Sequence, residues 1–233
     1  MIMFVTSCKK NNVDLPSGGS SLTIVNALVG SSSLVTNFNY NVPLKYYRTA
    51  QQISYGAGFE FGNYSGDISL ALSQINDTTN TVFKNVISLH KNTVNTLFIT
   101  GTLASPDSFQ TTDNPPYHAP TDSTAGIRFV NLSPGSNPIS VDIKGNIAGS
   151  EVASLAYKNV SAFKNYAATS NIASYVFEFR DVASGTLLAS YTLSGVNNGD
   201  GTNTSTNIVR WKNITVALRG IPGAQGTFRI NNY

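Results

Sequence analysis

The sequence predicts an all-β protein in which two tandem β-sandwich domains follow a flexible N-terminal tether. Three observations support this fold class. Apolar residues alternate with polar or small ones within residues 175–179 and again within 214–218, and a period of two is typical of a strand with one buried face. Clusters of Gly, Pro, Asn and Asp separate such runs, for example at 134–138, as tight turns require. One residue pattern also occurs twice.

The composition excludes several classes of protein. The chain has 233 residues and a net charge of +3, a length that suits one large or two small domains. Only 12% of the residues are charged, about half of the ~25% usual in soluble domains. Without a cluster of Lys and Arg, this charge is too dilute for a surface that binds nucleic-acid phosphates. Uncharged polar, aromatic and β-branched residues are typical of all-β envelope or secreted proteins.

The first segment, residues 1–7, is predicted to be the remnant of a truncated signal peptide. Val5-Thr6-Ser7-Cys8 resembles a bacterial lipoprotein lipobox, in which an aliphatic and two small residues precede a Cys. The resemblance implies that Cys8 is lipidated and becomes the mature N-terminus. A signal peptide has a basic start and about 7–15 apolar residues, which residues 1–5 do not provide. We therefore expect the real start codon to lie upstream.

Residues 8–21 are predicted to form a flexible, lipid-anchored tether, because Gly, Ser, Asn and Pro are frequent there. One acyl chain binds a membrane only marginally, whereas two signals give stable attachment. A lipoprotein Cys carries more than one chain. We therefore expect contact with the membrane through the N-terminal lipid only.

A repeated pattern predicts two β-sandwich domains, residues 22–104 and 126–233. Val25-Asn26 lies 105 positions before Val130-Asn131, and Gly30-Ser31 lies at the same distance from Gly135-Ser136. Residues 97–101 match 216–220, and Tyr55 roughly matches Tyr157. The halves are interpreted as duplicated domains. Their strands are expected to bury one face and leave the other in water.

Residues 105–125 are predicted to be a linker or a long loop between the domains. The segment contains four Pro and shows no alternation of apolar and polar residues. Pro115-Pro116 should stiffen it locally in an extended conformation.

The second half resembles the bacterial domain-of-unknown-function-4397 family. The residues that carry the resemblance are Val130-Asn131, Ser133-Pro134 and Val141-Asp142. The first half matches less well, since Asn37 replaces the Asp. The resemblance implies immunoglobulin-like or transthyretin-like sandwiches on secreted or lipid-anchored envelope proteins, often of Gram-negative bacteria, with no known reaction and no cofactor. We expect the outer membrane, on the periplasmic or exterior side.

No catalytic or metal-binding constellation is predicted, and the protein is not expected to be an enzyme. His90 and His118 lie in different parts of the chain, whereas a metal needs clustered ligands. Ser108, His118 and Asp122 share the predicted linker, but without a nucleophile elbow. A hydrolase would require His118 within hydrogen-bonding reach of a Ser.

Two further polar features have simple interpretations. Glu178 lies on the predicted wet face of a strand, so a solvated side chain is expected and no pair of glycosidase carboxylates is identified. Residues 197–203, NNGDGTN, lack the spaced carboxylates of a calcium loop and are read as a hairpin turn.

Exposed aromatic rings are the candidate ligand-binding residues. Tyr46, Tyr47 and Tyr117 lie outside the repeated pattern and could stack on sugar rings, although their rings could instead pack on a sandwich with only the hydroxyls in water. Trp211 is expected to be a core or rim anchor. The predicted function is that of a non-catalytic envelope lipoprotein in adhesion, surface assembly or scaffolding, with another surface protein as a partner. The alternative is an accessory carbohydrate-binding lipoprotein of a glycan-uptake system.

Overall fold

The computed structural model describes residues 18–38, 40, 44, 50–199 and 204–232. Within them the chain forms 16 β-strands in four small sheets and no helix, which confirms the all-β class. The first eight strands are β1 (Gly19–Asn26), β2 (Ser33–Asn37), β3 (Gln52–Ser54), β4 (Ala57–Tyr64), β5 (Gly66–Gln74), β6 (Asp77–Leu89), β7 (Val94–Thr102) and β8 (Ser105–Asp113). The next eight are β9 (Thr124–Leu132), β10 (Ile139–Ile143), β11 (Val152–Leu155), β12 (Lys164–Ala167), β13 (Ser174–Asp181), β14 (Leu187–Ser194), β15 (Asn213–Arg219) and β16 (Gly226–Asn232).

The two halves of the chain have the same strand order. In the first half, sheet I has the order β4-β1-β7-β8 and sheet II the order β3-β2-β5-β6. In the second half, sheet III is β12-β9-β15-β16 and sheet IV is β11-β10-β13-β14. Adding eight to each strand number of the first half gives the strand order of the second half. Each half also has a parallel pair, β1 with β7 and β9 with β15, so the fold repeats as the sequence does.

Each half buries an apolar core between its two sheets. Ile24 of sheet I and Leu70 of sheet II belong to one cluster. In the second half, Phe129 of sheet III packs edge-on against Phe177 of sheet IV, with ring centroids 5.0 Å apart. Each fully buried side chain of this size contributes about 1.5–3 kcal/mol to folding. Both halves are therefore β-sandwiches.

A third apolar cluster lies between the sandwiches, where sheet I meets sheet III. Its buried members are Val25, Ala27, Phe98, Val130, Leu132, Ala217, Phe228 and Ile230. Val25 and Val130 are equivalent in the repeat, as are Phe98 and Ala217. Because the same face of each repeat meets the other, the contact resembles the isologous interface of a twofold dimer.

Strand β15 corrects the expectation of one wet face. Thr215 and Ala217 should lie in water, yet both are fully buried, as are Ile214 and Val216 on the other face. Sheet III is covered by sheet IV on one side and by sheet I on the other. On β15 the small residues Thr215 and Ala217 face the domain interface and the large ones face the core, so the sequence of this buried strand looks like that of a half-exposed one.

The repeated Val-Asn pair has a structural role in both halves. The side-chain Nδ2 of Asn26 donates to the carbonyl of Ile53 at 3.0 Å, and its Oδ1 accepts the amide two residues later at 3.1 Å. Asn131 donates in the same way to the carbonyl of Leu155 at 3.2 Å and accepts the amide two residues later at 3.0 Å. Both Asn side chains are completely buried. Each therefore closes a loop and ties the two sheets of its sandwich together.

The structure moves the predicted boundaries. Residues 105–113, assigned to the linker, form edge strand β8 of sheet I, and β9 begins inside the same predicted segment. The strand was missed because β8 is polar and starts with Ser-Pro, and Pro is tolerated only at the start or edge of a sheet. Only residues 114–123 connect the halves. Strand β1 also begins within the predicted tether, at Gly19.

Candidate functional site

The predicted site residues fall into two groups. Cys8, Tyr46 and Tyr47 lie outside the described residues. Tyr117 lies between β8 and β9, and 85% of its surface is exposed. Trp211 is also exposed, although it was predicted to be a core or rim anchor, and its backbone has a positive φ of 59°.

His118 is buried and links the connecting segment to sheet III. Asn213 Nδ2 donates to the carbonyl of Pro116 at 3.0 Å, which turns its Oδ1 towards His118 Nε2 at 3.1 Å. We therefore assign the proton to Nε2, and Nδ1 lies 3.0 Å from Thr124 Oγ1. Asp122 is 3.7 Å from the same Nδ1. The two ring nitrogens therefore lie within hydrogen-bonding reach of Thr124 and Asn213.

Glu178 is not the solvated residue that the alternation predicts. Only 9% of it is exposed, since it pairs with Arg180 on its own strand and lies opposite Asp142 of β10. Arg180 Nε also lies 3.5 Å from Asp142 Oδ2, while Asp142 Oδ1 is buried without a hydrogen-bond partner. One guanidinium thus interacts with two carboxylates. The pKa of Arg180 is raised, and the hydrogen bond to Glu178 is the largest cause.

A buried ion pair joins the two halves on one side of the interface. Arg128 Nη1 and Nη2 donate to Asp113 Oδ1 and Oδ2 at 2.7 and 2.9 Å. The two side chains are only 5% and 0% exposed. Arg128 Nε donates to Thr215 at 2.8 Å, and the guanidinium stacks over Phe163 at 4.6 Å. The sequence signal for this pair is a single Arg in the apolar run GIRFVN.

Two turns that are equivalent in the repeat make further contacts across the interface. Lys158 Nζ lies 3.0 Å from both carboxylate oxygens of Asp107. Burial raises the pKa of Asp107, but the bond and charge of Lys158 outweigh this and the pKa is lowered. In the other half, Tyr55 lies under the guanidinium of Arg219, 4.1 Å from the ring centroid. Each half thus reaches the other through the turn that follows its third strand.

An open groove lies on the opposite side of the interface, between edge strands β4 and β16. It holds two adjoining cavities of about 500 and 330 Å³, which share Glu60, Arg229 and Asn231. Arg229 Nε donates to Asn231 Oδ1 at 2.6 Å and Nη2 donates to the carbonyl of Ile208 at 2.8 Å. We call this cavity pair the β4–β16 groove. Its volume is in the range of small-molecule sites.

Three other cavities are comparable in size, and one of them, of about 520 Å³, is lined by Gly19, Ser20, Gly62 and Asn63. A second, of about 550 Å³, lies between β8 and the segment before β12, and Arg128 and Phe163 line it. We call it the β8–β12 groove. Another, of about 530 Å³, lies on the outer face of sheet II, where Lys84 stacks on Tyr40 at 4.4 Å among Thr78, Thr79 and Thr81.

The described residues contain no group of three or more His, Cys, Asp or Glu side chains that could hold a metal. In the same part of the chain, no helix is long and apolar enough to cross a membrane. Comparison with known proteins gives no relative: no family model matches the chain, and no curated protein is similar to it. The resemblance to the domain-of-unknown-function-4397 family therefore stays a prediction.

Proposed function

We propose that this protein is a non-catalytic, lipid-anchored component of the bacterial cell envelope, with a role in adhesion, surface assembly or scaffolding. The observation that carries the proposal is the docking of the two sandwiches, in which sheets I and III share an apolar cluster and the buried Asp113–Arg128 pair. Two domains held together in this way suit a scaffold that presents a fixed surface. The chain enters the first domain at Gly19, within the predicted tether and 11 residues after Cys8.

Metabolic labelling with palmitate tests the anchor in the protein expressed from its full reading frame. We expect label in the wild type and in the Ser7→Ala control, which keeps a small residue before the Cys. We expect none in Cys8→Ala. Equal labelling of Cys8→Ala and the wild type would refute lipidation at Cys8.

The alternative is an accessory carbohydrate-binding lipoprotein of a glycan-uptake system. It is favoured by the exposure of Tyr117 and by the Thr-rich cavity beside Tyr40, because sugars stack on rings and bond to hydroxyls. A glycan array tests the soluble chain from residue 18 onwards. Tyr117→Ala should weaken binding, as should the double variant Tyr46→Ala and Tyr47→Ala. The alternative fails if no sugar binds or if all of these variants bind as the wild type does.

A further inference from the structure

The β4–β16 groove contains an arginine that has no acidic partner. Arg229 is half-buried, and its hydrogen bonds to Asn231 and to the carbonyl of Ile208 are to neutral groups. Tyr191 is a third, also neutral, neighbour. Among the described residues Arg229 makes no ion pair, unlike Arg128 and Arg180.

Burial of a cation without a counter-ion costs free energy, which an anion in the groove would recover. Burial also lowers the pKa of Arg229, in keeping with an environment that lacks negative charge. A guanidinium has five N–H donors, so the three neutral neighbours leave some of them for a ligand. A carboxylate would accept two of these in parallel.

The other residues that line the β4–β16 groove limit the class of anion that could bind to Arg229. Lys212 adds one more cation, whereas Glu60 adds a negative charge. A polyanion such as a phosphate chain would be repelled by Glu60 and would find few cations. A ligand with a single carboxylate and several hydroxyls fits better, since Glu60 and Asn231 can bond to hydroxyls.

Apolar surface completes the groove. Phe59 is 40% exposed and Ile208 is 54% exposed, and the two line the adjoining cavities. The faces of a sugar ring carry C–H groups that pack on such side chains. We propose that the β4–β16 groove binds a saccharide that carries a carboxylate, with Arg229 as the carboxylate-binding residue.

The repeat offers an internal comparison. The hairpin registers pair Phe98 with Phe109 and Ala217 with Phe228, which makes Gln110 the counterpart of Arg229. By the offset of the repeat, Thr23 is the counterpart of Arg128. On its side of the interface Arg128 is bonded to Asp113, whereas the short Thr23 lines the β4–β16 groove and brings no charge to it. The groove with the unpaired arginine is therefore also the one without the internal ion pair.

The proposal deepens the carbohydrate-binding alternative and moves the site away from the three tyrosines. Calorimetric titration of the full chain compares methyl galacturonide, which carries one carboxylate, with methyl galactoside, the same sugar after reduction of that carboxyl group. We expect binding of the acid and at least a tenfold weaker affinity for the reduced form, which is the loss typical of a charged hydrogen bond. Equal affinity for the two forms, or binding of neither, would overturn the proposal.

Variants locate the site. Arg229→Gln should weaken binding of methyl galacturonide about tenfold or more, and Gln110→Ala should leave it unchanged. Ile208→Glu places a repelling carboxylate in the groove at an exposed position, so it should also abolish binding without unfolding the chain. Wild-type affinity in both Arg229→Gln and Ile208→Glu would refute the site.

Two controls separate this proposal from its neighbours. Loss of binding in the double variant Tyr46→Ala and Tyr47→Ala, with Arg229→Gln unaffected, would support the tyrosine site and overturn the groove. Tighter binding of a poly-glutamate peptide than of methyl galacturonide would make the ligand an acidic peptide and overturn the saccharide class. Palmitate labelling is independent of all these outcomes, so failure of the anchor and failure of the groove are distinguishable.

Discussion

The two sides of the domain interface are built from equivalent strands but differ in chemistry. On the β8–β12 side, Arg128 of sheet III bonds to Asp113 of sheet I, and the charges balance. On the β4–β16 side, Arg229 has only neutral partners. The comparison teaches that the two halves share one strand framework, while a few side chains decide which side of the interface carries an internal ion pair and which does not.

One hydrogen bond makes the equivalence visible. Thr96 donates to Asp113 at 2.5 Å in the first half, and Thr215 donates to Asn232 at 2.5 Å in the second. Asn232 thus stands where Asp113 stands in the other repeat, and Thr23 stands where Arg128 stands. The neutral residues Thr23 and Asn232 on one side of the interface therefore occupy the positions that the charged residues Arg128 and Asp113 occupy on the other side.

The largest effect is expected from breaking the charged pair. Asp113→Ala leaves Arg128 buried without its carboxylate, and the loss of one partner of a buried pair costs about 3–5 kcal/mol. Urea unfolding of the chain from residue 18 onwards would measure the change in the free energy of unfolding. A loss below about 1 kcal/mol would mean that Asp113 and Arg128 do not hold the interface.

The double variant Asp113→Asn with Arg128→Thr is the matched control. It installs on the β8–β12 side the residue types that the other side already has. Because no unpaired charge is left, we expect it to be more stable than Asp113→Ala by about 2 kcal/mol or more. A double variant as unstable as the single one would contradict the equivalence of the two sides.

A smaller effect is expected at the buried asparagines. Asn26→Ala and Asn131→Ala each leave a buried carbonyl and a buried amide without partners, which costs about 2–3 kcal/mol. If the repeats are equivalent, the two losses measured by urea unfolding should agree within about 1 kcal/mol. A large loss in one half alone would show that only one of the Val-Asn pairs closes its sandwich.

The sequence predicted the sandwiches because apolar residues occupy every second position in strands such as β13 of sheet IV, the sheet that lies away from the domain interface. Phe177 and Phe179 of β13 face a core, and a period of two is visible around them. The rule failed for Ala217, since a small residue between large ones looks the same whether it faces water or a second sheet. It also failed for β8, whose one packed aromatic, Phe109, gives no alternation.

The candidate site was less predictable than the fold. Arg229 and Glu60 lie far apart in the chain, and only the docking of sheets I and III brings them to one groove. Arg128 and Asp113 are separated by a segment that was predicted to be a linker. The periodicity of a single sequence indicates which face of a strand is buried. It carries no comparable signal for contacts between domains.

The equivalent turns at Gly56 and Lys158 allow the two halves to be compared through variants with smaller effects on stability. Gly56 and Lys158 each follow the matched Tyr and each have a positive φ, 77° and 66°. A Cβ on Gly56 would lie 2.9 Å from the guanidinium of Arg219, so Gly56→Ala should cost about 1–2 kcal/mol. Lys158→Gly relieves backbone strain of about 1 kcal/mol but loses a partly exposed ion pair of similar worth, so it should be nearly neutral. Thermal unfolding measures both variants, and a greater loss for Lys158→Gly would reverse this ranking.

The smallest expected effect is a pH dependence at the Asp107–Lys158 pair. The pKa of Asp107 is lowered in the folded protein, so its stabilising contribution is complete above the unfolded pKa of about 4 and is lost as the pH falls through the folded value. Both side chains are more than a third exposed, so the contribution at neutral pH should stay below about 1 kcal/mol. Urea midpoints of the wild type and Asp107→Asn should therefore differ slightly at pH 7 and converge as the pH falls through the folded pKa of Asp107. Lys158→Gln should remove the same pH-dependent component, since the pair needs both charges. A difference that grows on acidification would contradict the assignment, and it would place the ionic link between the halves at the buried Asp113–Arg128 pair alone.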